Sequence, residues 1–263
     1  MQAGFVQRAF VIGIIIGLLS SILSVFIVLK RVSLIGDGLA HTAFGGLALG
    51  YYLDIYPLWV GAVVVVIGSL GITRAIRSTK ISSDAAVAVF LQMGLASGIV
   101  LLSLARGFGV NLEGLLFGSI LLVNWDQIII ALVILAITLA LIFAFFKELV
   151  YTTFDETQAR ASGVRTWFFD YLVSALAGVV VIASIPIVGV LLISALLVIP
   201  ALTSLQVSRS FRETVLLSPV FALASVILGM LLSLVLDIAS GATVVVTAML
   251  ILAVVLAAKK LRS

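Results

Sequence analysis

Cysteine is absent from this 263-residue chain, histidine occurs once, and Asp, Glu, Lys and Arg together make up only 10% of it. Without a thiol there is no disulfide framework, no thiolate metal site and no catalytic cysteine, and redox chemistry gives no reading of the compartment. The shortage of charge excludes more. A soluble domain is about 25% charged. A soluble enzyme, a nucleic-acid binder and a disordered segment all need polar surface that 15 basic and 11 acidic side chains cannot supply. No Lys follows a Gly anywhere, so a phosphate-cradling loop ending in Gly-Lys is missing and the chain is not expected to be an ATP-hydrolysing enzyme. What is abundant is apolar: 63% of the residues are hydrophobic, the composition of a protein that lives in a lipid bilayer. The net charge of +4 then reflects orientation in the membrane and not a nucleic-acid partner.

A hydrocarbon layer about 30 Å thick needs roughly 20 apolar residues of helix. Uncharged runs of that order lie at 9–29, 55–73, 85–105, 127–146, 214–236 and 238–258. The stretch 171–208 is too long for one span, and Pro186 is expected to divide it into two helices joined by a minimal turn. The run 38–53 is short, and 107–125 is interrupted by Glu113; short or broken helices often mark the working part of a transporter. Counting the first as a span and the second as a re-entrant or interfacial piece gives an all-α bundle of nine transmembrane helices, with eight as the alternative. The first run is too long, and lacks the small-residue site, for a cleaved signal. Residues 1–263 read as a single membrane domain, with one polar connection, 148–166, long enough to dock on something.

Charge asymmetry orients the bundle. With the N-terminus outside and the spans alternating, all of the 15 basic residues except Arg8 and Arg106 fall on one side, as cytoplasmic loops require. The C-terminus is therefore expected in the cytoplasm. Glycine pairs four residues apart, Gly13 with Gly17, Gly46 with Gly50 and Gly94 with Gly98, suit close helix packing in lipid.

Most acidic residues sit at predicted helix ends, where water reaches them. Asp37 and His41 differ, because they open the short second span and their i, i+4 spacing puts both side chains on one face, about 5–6 Å apart. Ionisable groups inside a membrane helix are costly and by default functional. Neutral imidazole with carboxylate suits zinc, manganese or ferrous iron and not copper(I). Two ligands are too few for one zinc ion, but two copies of the chain around a two-fold axis would present four. The alternative is structural: Asp37 capping the helix and His41 bonded to a backbone carbonyl. A proton relay is a third reading, and it lacks further mid-membrane acids apart from Asp170 and Asp237 near opposite ends. Asp237 could line an outer vestibule or simply turn the chain, and Glu113 has the same two readings.

The string RVSLIGDGLAHTAFGGLALG, residues 31–50, resembles the zinc, manganese and iron permease family of ABC importers. Further blocks match in order: LEGLLFGSILLV at 112–123, DETQARASGV at 155–164, PIVGVLLISALLVIPALTS at 186–204 and DIASGATVVV at 237–246. The resemblance implies a multi-pass permease in the plasma membrane of a prokaryote that pairs with a second copy of itself. It implies two further partners, a separate cytoplasmic ATPase and an extracytoplasmic metal-binding protein. It also implies that Asp37 and His41 contact the ion in passage, that Thr152–Arg165 contains the helix that couples to the ATPase, and that no cofactor is held permanently. Zinc is the first choice of cargo and manganese the second, on donor type and block spacing. The rival reading is a self-contained proton- or sodium-coupled transporter, which would work without any ATPase.

Overall fold

The computed structural model describes residues 2–78, 81–105 and 124–261. Among these there are helices and no strands. In chain order they are α1 (Gln2–Leu29), α2 (Ile35–Leu53), α3 (Pro57–Ser78), α4 (Ser83–Leu104), α5 (Trp125–Ala144), α6 (Phe146–Phe154), α7 (Glu156–Ala161), α8 (Thr166–Val188), α9 (Val190–Leu196), α10 (Ile199–Val207), α11 (Phe211–Leu236) and α12 (Ser240–Lys260). Seven of them, α1, α3, α4, α5, α8, α11 and α12, are long and apolar enough to cross a membrane. Glu113, Arg106 and the block 112–123 lie outside the described residues.

Burial separates centre from rim. The apolar segment of α1 is 72% buried and that of α8 61%, whereas those of α4 and α5 are 22% buried. The outward faces carry large apolar side chains such as Val89 and Ile99 on α4, Ile129 and Val133 on α5 and Val254 on α12. In water such a surface would aggregate; in lipid it is what a spanning helix presents. At the centre lies α2, which is not among the seven yet is buried over most of its length, against α3, α4, α8 and α9. Its polarity is tolerable because neighbours, not lipid, surround it.

Several hydroxyls inside the bundle bond to the preceding turn or to another helix, while Ser20 Oγ and Thr138 Oγ1 are buried without a partner among the described residues. Thr42 donates to Gly38 O at 2.7 Å and Ser184 to Val180 O at 2.7 Å, while Thr73 on α3 donates to Ser174 on α8 at 2.7 Å.

The long uncharged stretch after Asp170 divides differently from expectation. Helix α8 runs through position 186 and ends at Val188, and the break falls at Gly189, whose φ of 84° lies in the left-handed region. A proline in a helix's last turns removes one hydrogen bond, and Gly189 N still bonds Ile185 O at 2.9 Å; reversing the chain needs the glycine. Helix α8 also starts at Thr166, ahead of the uncharged stretch, so that Asp170 lies inside the helix. The following span is itself broken at Leu197–Val198 into α9 and α10. There Ser24 of α1 accepts a hydrogen bond from Ala201 N at 3.3 Å, satisfying a donor left over at the start of α10.

The connection from α5 to α8 is two short helices and not an open loop. Phe146 and Phe154 of α6 pack on Phe211 of α11, at ring-centroid distances of 6.0 and 5.4 Å, and Phe211 in turn meets Phe26 of α1 at 5.8 Å. Helix α7 is capped at both ends: the Asp155 side chain accepts from Gln158 N at 2.8 Å, and Gly163, φ 85°, closes the other end with Val164 N on Ala159 O at 3.0 Å.

Candidate functional site

Asp37 occupies the first turn of α2 and His41 follows one turn later, both half-buried. The capping role that Asp37 could have taken is not filled by it. Leu34 is the N-cap residue, without a side-chain hydrogen bond, and Asp37 lies three residues inside, where a carboxylate meets the positive end of the helix dipole. Nor, among the described residues, does the buried Nδ1 of His41 have the carbonyl partner expected of a structural role. Leaving such an atom unpaired is costly, and a ring nitrogen free to accept a cation's coordination is one reason to leave it so. Among the described residues no group of three or more His, Cys, Asp and Glu comes together.

The walls around the pair are built from close approaches. A Cβ on Gly94 of α4 would stand 2.4 Å from His41 O and 2.7 Å from Thr42 Cα, so α4 lies directly on the α2 backbone at the histidine. Gly38, next to Asp37, lies against Val87 of α4, and Gly36, on its other side, lies 3.3 Å by the same measure from Ser194 Cα, beside Leu197. The first turn of α2 thus abuts the break between α9 and α10. The glycine pairs noted in the sequence are helix contacts: Gly13 and Gly17 face α11, Gly46 and Gly50 face α3 and Pro57, and Gly94 and Gly98 face α2.

The end of the bundle from which α2 starts holds a network absent from the sequence reading. Asp170 of α8 takes Lys30 Nζ on Oδ1 at 2.5 Å and Arg77 of α3 on Oδ2. The same Arg77 nitrogen reaches Glu156 of α7 at 3.1 Å, and that carboxyl oxygen also accepts from Arg160 at 2.6 Å and Thr166 at 3.1 Å. Partial burial raises the Glu156 pKa, but the hydrogen bonds from Arg160 and Thr166, with the charge of Arg77 beside them, bring it below the ordinary carboxylate value. A cavity of about 710 Å³ lies at this network, lined by Lys30, Ile35, Arg77, Glu156 and Asp170 among others. At the opposite end of α11, Asp237 is a left-handed C-cap, φ 52°, with Ile238 N bonded to Ser233 O at 3.3 Å; it turns the chain into α12. Nothing in the sequence flagged this network, because the two partners of Asp170 lie at the ends of two other helices, 140 and 93 positions away.

A lipid-facing bundle around a buried, glycine-walled helix that carries one Asp and one His is the architecture of a polytopic membrane protein. The chain belongs to the ABC 3 transport family, whose family model matches residues 2–259. It is 33% identical over 248 residues to the manganese import system permease protein ScaB of Streptococcus gordonii, covering 94% of this chain and 88% of that protein. To the manganese transport system membrane protein MntC of Listeria innocua it is 29% identical over 251 residues, 95% of this chain and 89% of that one. The structure of PsaBC from Streptococcus pneumoniae in complex with Fab superposes with a TM-score of 0.85 at 31% identity, covering 96% of this chain and 91% of the other. The protein is thus a multi-pass plasma-membrane permease of the bacterial ABC-transporter type. The expectation put zinc first, whereas these named relatives are manganese permeases.

Proposed function

We propose that the chain is the permease half of an ABC importer that moves a divalent metal ion into the cytoplasm, manganese ahead of zinc, with Asp37 and His41 as the residues that contact the ion. The observation that carries this reading is the buried, unpartnered His41 Nδ1, one turn from Asp37, in a chain similar over nearly its full length to manganese permeases. Manganese fits the chemistry as well as zinc does. It accepts imidazole and carboxylate, and among first-row divalent ions it is held least tightly by a given donor set. A transport site must release what it binds, so sparse protein ligation favours passage.

In this reading the seven long helices are joined by α2 and the broken pair α9 and α10 to make nine spans, with the N-terminus outside and the C-terminus in the cytoplasm. Residues 1–263 form one permease domain, two copies of which meet so that both Asp37 and His41 pairs face one path. An extracytoplasmic binding protein delivers the ion, and a cytoplasmic ATPase docks on 148–166, where α6 and α7 form a capped, aromatic-anchored platform. Closure of the ATPases moves that platform and re-aims α2.

Uptake of manganese and of zinc into proteoliposomes holding the permease, its ATPase and its binding protein tests the assignment. Asp37→Ala and His41→Ala are each expected to abolish ATP-dependent uptake with assembly intact. Undiminished uptake in both would refute the site, and uptake by the permease alone would replace the importer with an ion-coupled secondary transporter.

A further inference from the structure

The ion pairs around Asp170 join parts of the chain that are far apart in sequence and that the proposed cycle must move together. Glu156 belongs to α7, on the platform assigned to the ATPase. Arg77 ends α3, Asp170 lies in the second turn of α8, and Lys30 follows the last residue of α1. Beyond Lys30 the chain turns at Arg31, φ 59°, and enters α2 at Ile35, one residue before Gly36 and two before Asp37. The Lys30 side chain is only 11% exposed, so this is not a loose surface pair, and its charge depends on Asp170 for neutralisation. Among the described residues Asp170 is the one carboxylate that holds Lys30 and Arg77 at once, with a separate oxygen for each. Without it two cations would face each other across the cavity wall, and α7 would keep its hold on α3 through Glu156 but lose its connection to the turn that leads into α2.

We infer that Asp170 is a positioning residue for transport: through Arg77 and Lys30 it links displacement of α7 to the turn before α2, and so to the orientation of Asp37 and His41. This rests on the importer reading above, in which an ATPase moves α7. Asp170 belongs neither to the Asp37 and His41 pair nor to the α6 and α7 platform, so its loss should separate two quantities that normally move together. In Asp170→Asn the shape is kept and the charge removed. ATP hydrolysis by the assembled complex is expected to persist and equilibrium binding of manganese to the permease is expected to stay at the wild-type value, while manganese carried per ATP falls about fivefold or more. Asp170→Glu, which restores the charge, is expected to recover most of the coupling. A merely structural role would instead lower assembly, metal binding and transport together.

The experiment measures 54Mn uptake and phosphate release in the same proteoliposomes, with metal binding and thermal unfolding of the same complexes. Wild-type uptake per ATP in Asp170→Asn overturns the inference, as does a parallel loss of binding and transport that Asp170→Glu does not restore. Should Asp170→Asn not assemble, Lys30→Gln is expected to give the same separation of hydrolysis from uptake, and full coupling in that variant overturns the inference equally. Absence of ATP-dependent uptake in the wild type would overturn the importer reading itself, a result distinct from any of these.

Discussion

Replacing Gly94 by alanine should damage the proposed metal site without altering Asp37 or His41 themselves. The added Cβ would lie 2.4 Å from His41 O, 2.6 Å from His41 C and 2.7 Å from Thr42 Cα, all of them backbone, so no side chain can rotate out of the way. Reaching ordinary van der Waals contact, at 3.4 Å, requires α2 and α4 to part by about 1 Å at the histidine. Overpacking of this kind costs about 1–3 kcal/mol in stability. The larger consequence is local, since metal-ligand distances tolerate only about 0.2 Å. Manganese affinity of the purified permease complex, measured by calorimetry beside thermal unfolding, should fall by more than the stability loss alone explains. Gly13→Ala is the control. Its Cβ would meet Met230 Sδ at 3.0 Å and Val226 Cγ1 at 3.1 Å, movable side-chain atoms on α11 remote from His41, so a modest loss of stability with unchanged affinity is expected. Equal affinity in Gly94→Ala and the wild type would refute the claim that the α2 and α4 crossing sets the position of His41.

Three further outcomes are expected. Ser24→Ala leaves the buried Ala201 N–H without its acceptor and should lower stability by about 1–3 kcal/mol, read as a lower unfolding midpoint. Glu156 has a carboxyl held below its ordinary pKa near 4.5, so its stabilising contribution is full above that pH and disappears as pH falls through the lower folded value; the difference in unfolding temperature between wild type and Glu156→Gln should therefore be present at neutral pH and shrink in acid. Asp237→Asn, which keeps a side chain tolerant of the left-handed conformation, should leave manganese uptake unchanged, whereas reduced uptake would restore the vestibule role.

The helices were legible because charges punctuate them: each of the seven long apolar helices overlaps an uncharged run over most of its length. The Asp37 and His41 pair was legible because both residues share one helix, where spacing alone fixes their relation. Three features were not. Gly189 and Pro186 both punctuate, and only the backbone angle decides between them. The break at Leu197–Val198 has no sequence mark of its own, since the donor it frees is met by Ser24, 177 positions away. The Asp170 network joins residues 140 and 93 positions apart, a relation that no local pattern encodes. Position 170 looked like the hydrated end of a span because an isolated acid belongs there. With Lys30 and Arg77 on its two oxygens it fits inside the helix.

The chain contains a single histidine and no cysteine, which makes the central claim open to direct spectroscopy. The permease would be labelled with 15N-histidine, assembled with unlabelled ATPase and loaded with Mn2+ for pulsed electron paramagnetic resonance. Any 15N coupling then reports His41 alone. Two equivalent 15N couplings per manganese, lost in His41→Ala, are what a site shared by two copies of α2 predicts. Manganese bound to the wild-type complex with no 15N coupling would contradict it.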